Sequence, residues 1–336
     1  MNKLNSLVSL TLCASIASTA FAADDFEAPR TQWGQPDLQG VWNFSSNTPM
    51  QRPKSFGERQ FLTREEELEA KTKREAVDAA SDAAIPNAGI DASYNDFWVE
   101  SASLGGNPRT SHIIYPADGR VPDLIEGVKV RYAGIGPNAG GKRPVRFVVG
   151  GISRDGPEDR GLSERCIVGF NAGPPFTPSL YNNNVQIFQN RDHVVLLTEM
   201  IHDARIVALA APQGSPGERR APLDPALGLW SGDSRGYWDG DTLVVVTRNF
   251  NGLTQSFSAA GTSKDKLLTE RFTRTGPYTV DYEFTIDDPS TFTDKITAIV
   301  SMTKVAGQLY EYACHEGNYG MQNILRGARR EEADSE

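Results

Sequence analysis

The sequence predicts a mainly β protein: an antiparallel meander closing into a barrel or a two-sheet sandwich, a lipocalin-like closure included, with long loops and one surface helix. Three observations carry this reading. Short runs of alternating apolar and polar residues recur from Asn184 to Cys314, at the spacing expected of consecutive short strands. Within YWDGDTLVVVT, Asp239-Gly240 separates two such runs, a tight-hairpin signal favouring a primed turn. Finally, βαβ alternation is missing, and only one helix is clearly written.

The first 22 residues carry Lys3, an apolar run through Leu7, Val8, Leu10, Leu12 and Ile16, and then Ala20-Phe21-Ala22 before an acidic Ala23-Asp24-Asp25. That is the pattern of an export signal with a small-x-small cleavage site after Ala22. No later stretch stays apolar for the roughly 18 residues a membrane span needs. The expected mature protein is therefore periplasmic or secreted, a single β-rich domain over 23–336. Its N-terminal region, about 23–144, is helix and loop, and a Pro/Gly-rich insertion occupies about 211–228.

The helix begins at Thr63, which forms a capping box with Glu66, and runs from Arg64 to about Ala80. Its few apolar residues, mainly Leu68, Ala76 and Val77, make it a solvated surface element. Between 85 and 144 Gly, Pro and Asn punctuate the chain, with short strand candidates at 111–115 and 145–149. Next come a hairpin of 184–189 with 192–199, turning at Asn190-Arg191, and the hairpin at Asp239-Gly240. Strands follow at 266–274, 278–286, 295–304 and 308–314.

The formal charge of −9 becomes −10 once the single positive charge of Lys3 leaves with the signal. A nucleic-acid binder needs a basic face, and this acidic chain shows none. Cys13 falls in the leader, which leaves Cys166 and Cys314. Two cysteines in an exported protein suggest one disulfide, worth up to about 4–5 kcal/mol for a loop of roughly 150 residues. Two unpaired buried thiols are the alternative.

Alternation along the strands assigns side chains to faces. Glu270 shares a face with Leu268 and Phe272, and Glu199 with Val195, Leu197 and Ile201, so both carboxylates are expected on the apolar side. Each then needs a partner, with Arg205, Arg271, His202 and His315 available. One reading makes them buried ion pairs that fix the strands. The other makes them part of a polar site at a barrel mouth, where desolvation raises a carboxylate's pKa enough for acid or base work. On that second reading His315, Glu270 and His202 are the catalytic candidates. Glu199, Arg271, Trp238, Tyr310 and Tyr312 would bind the ligand, and His315 would line the same pocket as Glu270. No cofactor and no metal is expected.

Three weaker patterns compete. GDSRG at 232–236 matches the nucleophile elbow G-x-S-x-G, with Asp287 or Asp288 and His315 following Ser234 in hydrolase order, but it leads into a hairpin instead of a helix. GPNAGGKR at 136–143 misses the phosphate-binding loop because Arg143 replaces the hydroxyl residue. A metal site would need distant pairs such as His202-Asp203 and His315-Glu316.

One set of blocks is more specific. Gly236, Trp238 and Gly240-Asp241-Thr242-Leu243-Val244-Val245 are followed by Glu270-Arg271-Phe272 and Thr285-Ile286-Asp287-Asp288-Pro289. Glu311-Tyr312, Cys314, Glu316 and Asn318 complete the set. Together these resemble a group of secreted bacterial proteins with no established activity. The resemblance implies a β-rich body and carries over no chemistry. ERCIVGFNAGPP and YNNNVQIFQ, within 164–189, look equally characteristic and suggest no mechanism as sequence.

The sequence thus reads as an exported binder of a small organic molecule, and as a cofactor-free lyase, isomerase or hydrolase if it turns that molecule over. A non-catalytic ligand-binding protein and an envelope scaffold are the alternatives. Stable membrane insertion is not expected.

Overall fold

Strands of four to ten residues whose side chains alternate bury one face and expose the other, and when enough of them pair in sequence the sheet curls until its edges meet. That is the outcome here. The computed structural model describes residues 26–84, 108–128, 154–210, 223–251 and 263–335. The leader, the strand candidate at 145–149 and the GPNAGGKR stretch lie outside these residues.

The strands are β1 (Gly40–Asn43), β2 (Ile113–Tyr115), β3 (Asn184–Gln189), β4 (His193–Thr198) and β5 (Ala204–Leu209). They continue as β6 (Asp233–Asp239), β7 (Thr242–Arg248), β8 (Leu267–Gly276), β9 (Thr279–Asp287) and β10 (Ile296–Val305). In the order β1-β3-β4-β5-β6-β7-β8-β9-β10, with β10 pairing back to β1, nine strands close a barrel; β2 adds to the first half of β10 from outside. All of these pairings are antiparallel except β5 with β6, which meet in parallel only at Ala208↔Arg235 and Leu209↔Gly236. The barrel is therefore mixed, a closed form of the expected meander.

The interior follows the period of two. Leu268, Glu270 and Phe272 of β8 point inward beside Val280, Tyr282, Phe284 and Ile286 of β9 and Ile296, Ala298, Val300 and Met302 of β10, all fully buried. Their outward neighbours Thr269, Arg271, Thr273, Asp281, Glu283 and Thr285 give those strands a polar exterior. Among the described residues no helix is long and apolar enough to cross a membrane.

The chain closes the barrel at one end with its own N-terminal arm. Gln189 accepts from the Leu38 N–H and donates to the Pro36 carbonyl, Arg274 donates to the Asp37 carbonyl at 2.8 Å, and the Trp42 indole donates to the Leu38 carbonyl at 2.8 Å. At the opposite end the segment leading into β3 meets the barrel: Phe44 N–H donates to the Asn183 carbonyl at 2.8 Å and Phe176 N–H to the Tyr282 oxygen at 3.1 Å.

The helix α1 (Arg64–Ala84) starts at the expected capping box: Thr63 N–H donates to Glu66 at 2.8 Å, and Glu66 N–H to the Thr63 hydroxyl at 3.3 Å. Its Leu68 and Val77 are exposed, as a solvated helix requires.

Four expectations are corrected. Residues 308–314 form no strand; they run as a loop into a second helix, α2 (Tyr319–Ala333), N-capped by Asn318, whose side chain accepts from Met321 N–H. The β6–β7 hairpin turns at Gly240-Asp241, one residue later than expected, because Asp239 pairs with Thr242 and Gly240 takes the positive φ of +58°. The β3–β4 loop runs over 190–192, one residue longer than expected, since β4 begins at His193 and the Asn190 side chain accepts from the Asp192 and His193 N–H groups. The fourth concerns β4: Val194, Leu196 and Thr198 form its buried set, so Val195 and Leu197 face outward. Glu199 therefore begins a short 3-10 turn outside the barrel.

His112 ties the outer strand to the barrel. It is buried, and its Nδ1–H donates to the Ile299 carbonyl at 2.7 Å. Burial holds its pKa down to about 4, opposed by that hydrogen bond and reinforced by the Arg109 charge. Because the folded value lies below the unfolded 6.5, the unfolded chain protonates first, and stability is lost as pH falls from about 6.5 through 4. We expect urea midpoints to decline over that window by an amount equivalent to about 3 kcal/mol, and the decline to be much smaller in His112→Asn.

Candidate functional site

The centre of the barrel holds a charged cluster on three strands. Glu270 of β8 is fully buried and receives both arms of the Arg205 guanidinium from β5, at 2.6 and 2.8 Å. The Tyr282 hydroxyl of β9 donates to the same carboxylate at 2.8 Å. Burial pulls the Arg205 guanidinium down, but the Glu270 charge and hydrogen bonds more than offset it and hold it above its ordinary value. Burial, reinforced by the Glu270 charge, pushes the Tyr282 hydroxyl well above its ordinary 10. Tyr282 therefore keeps its proton, and with that O–H committed to Glu270 its oxygen is an acceptor.

That acceptor is used by the chain itself. Phe176 N–H donates to the Tyr282 oxygen at 3.1 Å. The Phe176 ring is fully buried against Phe44 (centroids 5.5 Å), Tyr282 (5.3 Å) and the edge of Phe272 (6.5 Å), with the Arg205 guanidinium 5.1 Å from its centroid. An aromatic residue from a loop thus fills the space over the charged cluster.

The loop is built for this. In NAGPPF, Gly173 has a φ of +73°, and a Cβ there would lie 2.4 Å from the Pro175 backbone, so only glycine turns the chain inward. Asn171 is buried, and its amide donates to the Ser179 hydroxyl and the carbonyls of Tyr181 and Asn182, at 2.9, 3.2 and 2.9 Å. Asn183 accepts from Ser179 N–H at 2.7 Å and donates to the Ser179 carbonyl at 2.9 Å. Asn184 reaches out to Glu199 at 2.7 Å. These bonds explain the NAGPP and YNNN stretches, whose role was not legible in sequence: they fasten the two limbs of a plug.

The plug is tied to the C-terminal segment. Cys166 and Cys314 form a disulfide, with Cα atoms 5.7 Å apart at a sequence separation of 148. Asn318 donates to the Glu164 carbonyl at 2.8 Å. Thiol counting under denaturing conditions, on protein isolated without reductant, should find neither Cys166 nor Cys314 reactive; two free thiols would break this assignment.

Lys266 was not singled out from the sequence. It precedes β8 in phase with Leu268 and Glu270, which is the signal that could have found it, and it is 2% exposed with its ammonium 4.1 Å from the centre of the Phe250 ring. Burial holds its pKa down to about 7, opposed by the charges of Asp288 and Glu270. Asp288 is itself buried and accepts from the Ser263 N–H and hydroxyl at 2.6 and 2.8 Å.

The other expected residues lie elsewhere. His315 is exposed on the loop before α2, so it and the enclosed Glu270 occupy different environments. His202 is exposed in the β4–β5 turn, and Tyr310 is 78% exposed. Tyr312 packs with Cys314 against Ala172, Met200 and Ile201. Arg271 points outward and pairs with Asp239 at 3.0 Å. Trp238 packs on the core with its buried indole N–H unpartnered among the described residues. Ser234 sits on a strand, buried and hydrogen-bonded to Thr247 at 2.9 Å, instead of on a strand-to-helix elbow. Among the described residues no three His, Cys, Asp or Glu side chains are grouped to hold a metal ion. Known protein families, characterised proteins and solved structures were compared with this chain, and none matches it.

Proposed function

We propose that the protein is an exported binder of a small organic molecule, and that its site is the barrel interior over Glu270, Arg205 and Tyr282, with the Phe176 loop as a displaceable plug. The observation that carries this is the plug itself. A purely structural barrel fills its centre with strand side chains; this one covers a buried charged cluster with an aromatic ring delivered from a loop. Loops open at lower free energy than paired strands do, so the ring can leave while the barrel stays closed. Export rests on the leader pattern and on the disulfide, which oxidising compartments favour.

A scaffold is the second reading, favoured by closure of both barrel ends by the chain's own segments. Two measurements on the intact disulfide-bonded protein separate the readings. Amide exchange at 171–183 should be faster by orders of magnitude than at β8 and β9. Mass spectrometry should find a small molecule released on denaturing protein taken from its native compartment. Equal protection of plug and strands, with no released molecule, would leave the scaffold.

A further inference from the structure

Phe176 shows what the site accepts. From Phe44, Phe272, Tyr282 and Arg205 we infer that the ligand is a flat aromatic ring bearing a hydrogen-bond donor, a phenol, aniline or indole, that takes the place of the Phe176 ring and its N–H. This rests on the reading of the barrel as a binding protein with a displaceable plug and names the chemistry of that same site.

The ring is specified by its walls. Phe44 lies nearly parallel to Phe176 at an interplanar angle of 23°, Phe272 meets it edge-on at 67°, and Arg205 sits over the ring. An aliphatic chain would forgo the cation–π and ring–ring terms.

The donor is specified by a one-way chain of hydrogen bonds. Arg205 donates twice to Glu270, and Tyr282 donates to Glu270, so the oxygen of Tyr282 can serve the occupant only by accepting. Phe176 N–H meets that need now. An occupant that displaces it must bring its own N–H or O–H, or the buried oxygen is left unpaired. A carboxylate on the ring would meet the lone pairs of Tyr282 and the charge of Glu270. Benzoate-like acids are therefore excluded from this orientation.

Phe176→Pro removes both the ring and the N–H that Tyr282 now accepts from, and phenol, toluene and benzoate are matched probes. By calorimetry on the oxidised full-length variant, phenol should bind at least about tenfold more tightly than toluene, the ratio expected for one unmet buried acceptor, and benzoate should not bind. Adding Tyr282→Phe should abolish the preference for phenol. If Phe176→Pro does not fold alone, the readout becomes rescue of folding by millimolar probe, with the same order expected. Equal affinity for phenol and toluene, tighter binding of benzoate, or a preference that survives Tyr282→Phe would overturn the assignment. The intact protein tests the parent reading separately: if it takes up no phenol while the variant discriminates, the plug is not displaceable, yet the donor specificity of the site stands.

Discussion

Arg205→Met is expected to cost about 3–5 kcal/mol of folding stability, because it strands the Glu270 carboxylate in the middle of the barrel. Glu270 is fully buried, both of its oxygens are held by Arg205, and Tyr282 supplies one further donor. A single hydroxyl cannot replace a guanidinium as counter-charge, and the carboxylate has no exposure to solvent. Against a total of about 5–15 kcal/mol for a typical domain, that loss moves the urea midpoint far to the left. The double variant Arg205→Met with Glu270→Leu should recover most of it, since it removes both charges and leaves apolar volume. A single variant as stable as the parent would mean that the cluster is no ion pair in any functional sense.

The two halves of this cluster were unequally legible. Glu270 was placed inward from its neighbours Leu268 and Phe272 alone, because ten-residue strands leave no doubt about phase. Its partner Arg205 was among the arginines and histidines available, yet β5 was not read as a strand: ARIVAL is six residues long and follows a turn containing Ile201 and His202, both at positive φ. The same turn misled the assignment of Glu199. The apolar stretch VVLLT of β4 offers two candidate faces, and only the pairing of Leu196 with Ile187 and Arg205 chooses between them. The polar stretch at the C-terminus shows the limit of local reading most clearly. Cys314, His315, Glu316 and Asn318 read as the end of a strand, whereas they lead into α2 and dock on the plug through the disulfide and Asn318. The pairing of Cys166 with Cys314 was expected from the cysteine count, but where it docks the tail was not. The plug was invisible for the same reason, since its role depends on where Phe176 lands.

Lys266→Met should stabilise the protein at neutral pH, and the gain should vanish in base. The lysine sits 2% exposed beside Phe250, and burial holds its pKa down to about 7 from an ordinary 10.5, with Asp288 and Glu270 limiting the fall. The folded value lies below the unfolded one, so the unfolded chain holds the proton more tightly and stability is lost as pH falls from about 10.5 to 7. Below pH 7 both states carry it and the loss is complete, equivalent to about 5 kcal/mol. A methionine of similar length keeps the packing against Phe250 without the charge. Urea titrations at pH 6 and pH 10 should therefore show the variant ahead of the parent by several kcal/mol at the lower pH and level with it at the higher. The opposite pattern, a variant weaker at pH 6, would show that the ammonium is a needed counter-charge for Asp288. Should the variant gain stability at pH 6, folding stability would not account for Lys266, whose ammonium feels the charges of Asp288 and Glu270.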